Sequence, residues 1–155
     1  MCADLWSFAL STYARPGVEA ACLRLQEQGA DVCLLLCGAW LEQRGIVVSA
    51  ERIRALKQIA GPWQAQVVEP LRQVRMQWRV LAQQDKPLAT LRERIKVLEL
   101  EAERELLVRL GTLSLQWSTE AQVSHQPWLE GLAAEDAANL DHDALQQLRV
   151  VVTNT

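Results

Sequence analysis

The sequence predicts an all-α fold: a helical bundle with a long antiparallel helical hairpin. Three observations carry this. Leu, Ala, Gln, Glu and Arg dominate, only one Phe and one Tyr occur, and β-branched runs are confined to "GIVVS" and "RVVVT"; this usage favours helix over strand. Apolar residues recur at spacings of three and four along most of the chain. Half of the 155 residues are apolar and 23% are charged, enough apolar mass for a packed core and too little charge for a disordered chain. The length fits a single helical domain over 1–155, with core helices over 1–48, a helix plus the hairpin over 49–115, and weakly patterned C-terminal helices or tail over 116–155.

Each element has a local cause. Asp4 is placed to cap a first helix whose apolar face is Leu5, Phe8, Ala9 and Thr12. "RPG" (Arg15–Gly17) ends it, and Pro16 suits the start of a second helix that buries Val18, Ala21, Cys22 and Leu25 and stops at Gly29. Asp31 caps a third helix over 32–44, closed by Gly45 and apolar on every side, the mark of a helix wrapped by others. Ser49 starts a fourth, "AERIRALKQIA", expected to end or kink at Gly61–Pro62. From Trp63 onward, Val67, Leu71, Val74, Trp78 and Leu81 form a heptad-like seam, with a bend expected around Val68–Glu69 because Pro70 cannot continue the backbone ladder. "QQDKP" (83–87) makes the turn. A second seam, Leu88, Leu91, Ile95, Leu98, Ala102 and Leu106, then runs on to Leu110 and Leu113 and completes the hairpin. After Pro127 a short helix is expected, and Asp141 is placed to cap another, "HDALQQLRVVV".

The inventory of catalytic motifs is thin. No phosphate-binding loop, dinucleotide fingerprint, nucleophile elbow or HExxH helix occurs. Cys33 and Cys37 stand one helical turn apart, about 5–6 Å between Cβ atoms, too far for an unstrained disulfide. The only histidines, His125 and His142, lie far off in a polar region, so a four-ligand zinc site is not formed by these groups and both thiols are expected in the core. "DHD" (Asp141–Asp143) reads as a cap with first-turn acids rather than a metal site. The acids of "LEAEREL" lack the Glu-x-x-His partner of a di-metal helix, and Glu105 with Arg109 reads as an ordinary exposed pair. Neither a cofactor nor a metal is expected. Without a basic leader or an apolar run of about 18 residues, no membrane association is expected and a cytoplasmic location follows.

Charge is distributed unevenly. Residues 1–48 carry 3 basic and 5 acidic side chains, 49–98 carry 10 and 4, and 99–155 carry 3 and 10. The split reads equally as a basic interaction surface or as two halves that attract each other in the fold. Within the basic segment, Arg72, Arg75 and Arg79 share one helical face beside Trp78, on which Arg75 and Arg79 are placed to stack. In a hairpin turning near Asp85 they lie opposite Arg92, Arg94 and Lys96, forming one positive lobe suited to carboxylates or phosphates. Six tryptophans are present; Trp6 and Trp40 are expected in the core with bonded indole N–H groups, and Trp63 at the helix break.

"LWSFALSTYARPGVEAACLRLQ", "GADVCLLLCGAWLEQRG" and "WQAQVVEPLRQVRMQWR" together resemble, over about residues 4–79, a family of small helical proteins of gammaproteobacteria and related bacteria whose function is unknown. The resemblance implies an all-helical bacterial cytosolic protein without an assigned activity. Its pattern has Asn where this chain has Cys33, which counts against a thiol role, and it includes the "PLRxxR" block of Pro70, Leu71, Arg72 and Arg75. The functional expectation is a non-enzymatic adaptor that binds an acidic protein partner through Arg72, Arg75, Trp78, Arg79, Arg92, Arg94 and Lys96. RNA or ribonucleoprotein binding through the same lobe is the alternative, opposed by the net charge of −3. A small-ligand or enzymatic site in an interhelical cleft is a second alternative.

Overall fold

The computed structural model describes residues 4–27, 30–117 and 128–133, and among them every regular element is a helix. Helix α1 (Leu5–Tyr13) begins where the Asp4 carboxylate accepts from the Ser7 N–H at 2.7 Å. It buries Leu5, Phe8, Ala9 and Thr12, the face its spacing predicts. Gly17, at φ 84°, turns the chain into α2 (Val18–Glu27), which buries Val18, Ala21, Cys22 and Leu25. The expected stop at Gly29 lies outside the described residues.

Helix α3 (Val32–Gln43) is the centre of the bundle. Asp31 caps it through the Leu34 N–H at 3.1 Å, and Cys33 through Leu41 are all buried. Gly45, at φ 68°, closes it: the Gly45 N–H bonds to Glu42 O and the Ile46 N–H to Leu41 O, both at 3.1 Å. This left-handed closure satisfies the last carbonyls and folds Ile46 back over Leu41. Helix α7 (Trp128–Ala133) lies across α3 at Gly38, where a Cβ would come within 2.7 Å of Leu132 Cδ1. Trp128, fully buried, donates its indole N–H to Ile46 O at 2.7 Å and stacks on Trp117 at 5.9 Å between ring centres. The expected helix from Asp141 lies outside the described residues.

Helix α4 (Ala50–Trp63) is capped by Ser49, as expected, through the Arg52 N–H at 3.1 Å. It does not end at Gly61–Pro62. The helix continues through Trp63 into a π-helical turn, Gln64–Val68, and on into α5 (Glu69–Leu81). Pro62 and Pro70 each remove a backbone donor and crowd a carbonyl one turn earlier. The wider turn falls between them, and widening, not breakage, accommodates both. The expected bend at Val68–Glu69 is where that turn ends.

After a short 3₁₀ turn (Ala82–Gln84), Asp85 caps α6 (Lys86–Ser114) through the Leu88 N–H at 3.1 Å. Helices α5 and α6 form the predicted antiparallel hairpin. The seam on α6 differs from the predicted one. Leu91 and Leu98 are half-exposed, while Glu99 is buried and Arg92 is part-buried. The inward row is Leu88, Arg92, Ile95, Glu99, Ala102 and Leu106, which keeps the heptad spacing but places two charged residues in it. On α5 no residue is fully buried, and Leu81 at the end of its seam is exposed.

Two tryptophan expectations also change. Trp40 is in the core, but Trp6 is only half-buried, with the Arg104 guanidinium 5.2 Å from its ring centre. Arginines stack on Trp6, Trp40, Trp63 and Trp117. No stacking on Trp78 is present among the described residues, because Arg75 turns instead to a carboxylate on α6. No described helix is long and apolar enough to cross a membrane.

The core position of the cysteines agrees with the sequence reading: Cys33 and Cys37 are buried and free. Burial raises the Cys22 thiol to about 11 and Cys37 to about 12, and holds Cys33 well above its usual range. Thiolate is the reactive form. In a Cys2→Ser background, all three thiols are expected to resist a thiol reagent at pH 8 and to react fully in denaturant. Rapid native labelling of Cys33 or Cys37 contradicts the core assignment.

Candidate functional site

The sequence-predicted lobe converges on a charged junction, but its arginines do not all point outward. Glu99, on the inward row of α6, receives Arg72 Nε at 3.2 Å on one oxygen and Arg75 Nε at 2.6 Å on the other. Arg72 also donates to Glu69 at 3.1 Å and to Glu103 at 3.4 Å. From α2, the Gln26 amide group lies against Arg72, and with its oxygen turned to the guanidinium it accepts from Nη2 at 2.6 Å and Nη1 at 3.2 Å. Arg72 therefore has partners for all its donor nitrogens and ties α2, α5 and α6 together. Its side chain is 15% exposed and that of Glu99 is 9% exposed, so the ion pair is largely removed from water.

The π-helical turn contributes a further member. Gln64, its first residue, donates to Asp31 Oδ1 at 2.8 Å, the same oxygen that caps α3. Trp63 fixes the start of this turn by donating its indole N–H to Ala102 O at 2.9 Å, with the Arg109 guanidinium 4.0 Å from its ring centre. Arg109 also pairs with Glu105 at 3.1 Å, the predicted exposed pair. Burial raises the Asp31 carboxyl above its usual value against the pull of the Leu34 and Gln64 N–H groups. Burial likewise raises Glu103, reinforced by the charge of Glu99 and opposed by Arg72.

The remaining predicted residues lie along the hairpin. Arg92 donates Nε to the Arg75 carbonyl at 2.9 Å, so these two strings do face each other. Arg79 and Arg94 are exposed, with no ion pair among the described residues. Lys96 pairs with Glu93 at 3.1 Å, and Trp78 is half-buried in the seam. Glu99, Glu103, Asp31, Gln26 and Gln64 are the members that sequence reasoning missed as a site. The available signal is hairpin register: with the turn near Asp85, Arg72 falls opposite Glu99, at the boundary where the basic segment meets the acidic one.

Two clefts open on either side of this junction and share Gln26, Asp31, Gln64, Arg72 and Arg75 in their walls. The first, about 1080 Å³, lies between α2 and the hairpin and is reached by Arg79, Arg92, Met76 and Leu23. The second, about 550 Å³, lies between α1, α2 and α6 and is reached by Glu99, Glu103, Trp6, Tyr13 and Leu100. Arg79 and Arg92 face only the first cleft, with Glu27, Glu69 and Lys57, and Glu99 and Glu103 only the second, with Lys96. Among the described residues no cluster of His, Cys, Asp and Glu is arranged to hold a metal ion.

Fold and junction together define a small all-α protein with a charged interhelical cleft. The chain belongs to the family described as protein of unknown function (DUF2390), whose pattern matches residues 4–110. That span extends the resemblance seen in the sequence through the turn and most of α6, and it contains every member of the junction. No curated protein and no solved structure matches the chain.

The raised Glu103 carboxyl has a consequence with a definite sign. Below its ordinary 4.5 the group is protonated both folded and unfolded, and its contribution to stability is intact. As pH rises through the higher folded value, the unfolded chain releases its proton first and stability is lost. Urea titrations between acid and neutral pH are expected to show the wild type losing stability relative to a Glu103→Gln variant. The opposite trend means that the Arg72 contact outweighs burial.

Proposed function

We propose that this is a non-enzymatic protein-interaction module whose larger cleft receives an acidic, amphipathic segment of a partner protein. The observation that carries the reading is the mouth of that cleft. Arg79 and Arg92 flank Met76 there and have no carboxylate partner among the described residues. Met76 is 56% exposed, and Leu23 across the cleft is 46% exposed. Apolar side chains beside guanidinium groups that lack a carboxylate partner among the described residues suit a helix or strand that carries both leucines and carboxylates.

The hairpin adds to this. Residues 76–98 hold five basic side chains, Arg79, Lys86, Arg92, Arg94 and Lys96, against Asp85 and Glu93. Such a field raises the encounter rate with an acidic surface and weakens with salt. Arg72 and Arg75 set the shape of the site rather than its free charge, since their donors are held by Glu69, Glu99 and Glu103. Free cysteines at Cys22, Cys33 and Cys37 suit a reducing, cytoplasmic compartment of a bacterium.

The test is a photo-crosslinking residue at position 76 in living cells, with position 115, also exposed, as control. A discrete adduct is expected at 76 that survives nuclease, is destroyed by protease, and is lost with Arg79→Glu/Arg92→Glu while the melting transition is retained. An adduct lost to nuclease moves the assignment to nucleic acid. Equal labelling at 76 and 115 removes the proposed site.

A further inference from the structure

The smaller cleft has a chemistry of its own. Its walls are largely apolar: Trp6, Leu10 and Tyr13 from α1 face Leu100 and Leu107 from α6. Leu10 and Leu100 are 51% and 53% exposed, apolar surface that the core does not use. About 550 Å³ lies within the range of small-molecule sites. The polar end is where the junction turns its carboxylates. Asp31, Glu99 and Glu103 reach the cleft beside Arg72, Arg75 and Lys96, and each of these three cations is already paired with a carboxylate.

Lys96 is neutralised by Glu93, and Arg72 and Arg75 are occupied by Glu99. Glu103 is the least satisfied acid, held among the described residues by one 3.4 Å contact to Arg72. Trp6 and Tyr13 add ring faces that attract cations, and the Arg104 stack on Trp6 is one such contact already made. Burial raises the Asp31 and Glu103 carboxyls and the Tyr13 phenol, as an apolar, water-poor cleft would.

We infer that the cleft between α1, α2 and α6 binds a small organic cation, an ammonium group on an apolar or aromatic body, with Glu103 as its counter-ion and Leu10, Tyr13 and Leu100 around the body. This site does not rest on the protein-binding reading: Arg79 and Arg92 do not reach it, although Leu23 lines both clefts.

Two probes with the same body and opposite heads provide the test: 4-phenylbutylamine and 4-phenylbutanoate, titrated calorimetrically into the full chain. The amine is expected to bind saturably at one site, at least tenfold more tightly than the carboxylate. Glu103→Gln should weaken the amine at least tenfold, and Leu100→Arg, at an exposed position, should abolish its binding with the melting transition preserved. Arg79→Glu/Arg92→Glu should leave it unchanged. Equal binding of the two probes, no amine binding up to millimolar concentration, or indifference to both cleft variants overturns the inference. A dimer in sedimentation that Leu100→Arg dissolves also overturns it, since a second copy then covers the cleft.

Discussion

Glu99 is the residue on which the arrangement of the hairpin depends. A carboxylate in the inward row of α6 is costly unless its charge is matched, and two arginines of α5 match it from opposite sides. Helix α5 has no fully buried residue to define its position along α6. A half-exposed apolar seam tolerates sliding by a turn, whereas a buried carboxylate between two guanidinium groups has one satisfactory alignment. Replacing such a buried ion pair by well-packed apolar residues is often neutral or stabilising. The pair is therefore better understood as setting register than as supplying net stability. Gln26 extends the same constraint to α2, which meets the hairpin through Arg72.

That constraint also shapes the surface. Because Arg72 and Arg75 direct their charge toward α6, the α5 flank presents Arg79 with Arg92, while the face toward α1 presents Glu103. One ion-pair cluster separates a cleft lined by more basic than acidic groups from a more apolar one that Glu99 and Glu103 reach, and Gln64 and Asp31 form part of the partition between them. The π-helical turn matters here. An unbroken α-helix from Ala50 to Leu81 would rotate Gln64 relative to Arg72 by a different angle, and the two prolines that widen the turn thereby help place both residues at one junction.

Much of the fold was legible because it rests on local signals. Asp4, Asp31, Ser49 and Asp85 each cap the helix that their position announces, and the buried faces of α1 and α2 follow from spacing alone. Burial on every side of α3 follows from its lack of any polar face. The site was less legible because it depends on tertiary pairing. Glu99 and Glu103 belong to a run of acids that reads as a solvated face, and only hairpin register distinguishes them from Glu101 and Glu105. The same cause accounts for the seam: Leu91 and Leu98 satisfy the period as well as Arg92 and Glu99 do, and hydrophobicity alone favours the leucines. A missing donor at Pro62 predicts an end or a kink without distinguishing them; the widened turn is a response that composition does not signal.

The most direct test is a double-mutant cycle on Arg72 and Glu99, with Arg72→Gln, Glu99→Gln and the double variant unfolded in urea. Breaking a buried pair by removing one partner costs about 3–5 kcal/mol. Each single change is expected to fall near the low end of that range, since Arg72 retains some exposure. The double variant should cost less than the sum by about 1–3 kcal/mol, the coupling of residues that share one network. Costs that add to within about 0.5 kcal/mol would show that the two residues act independently, and that register is set elsewhere along the hairpin.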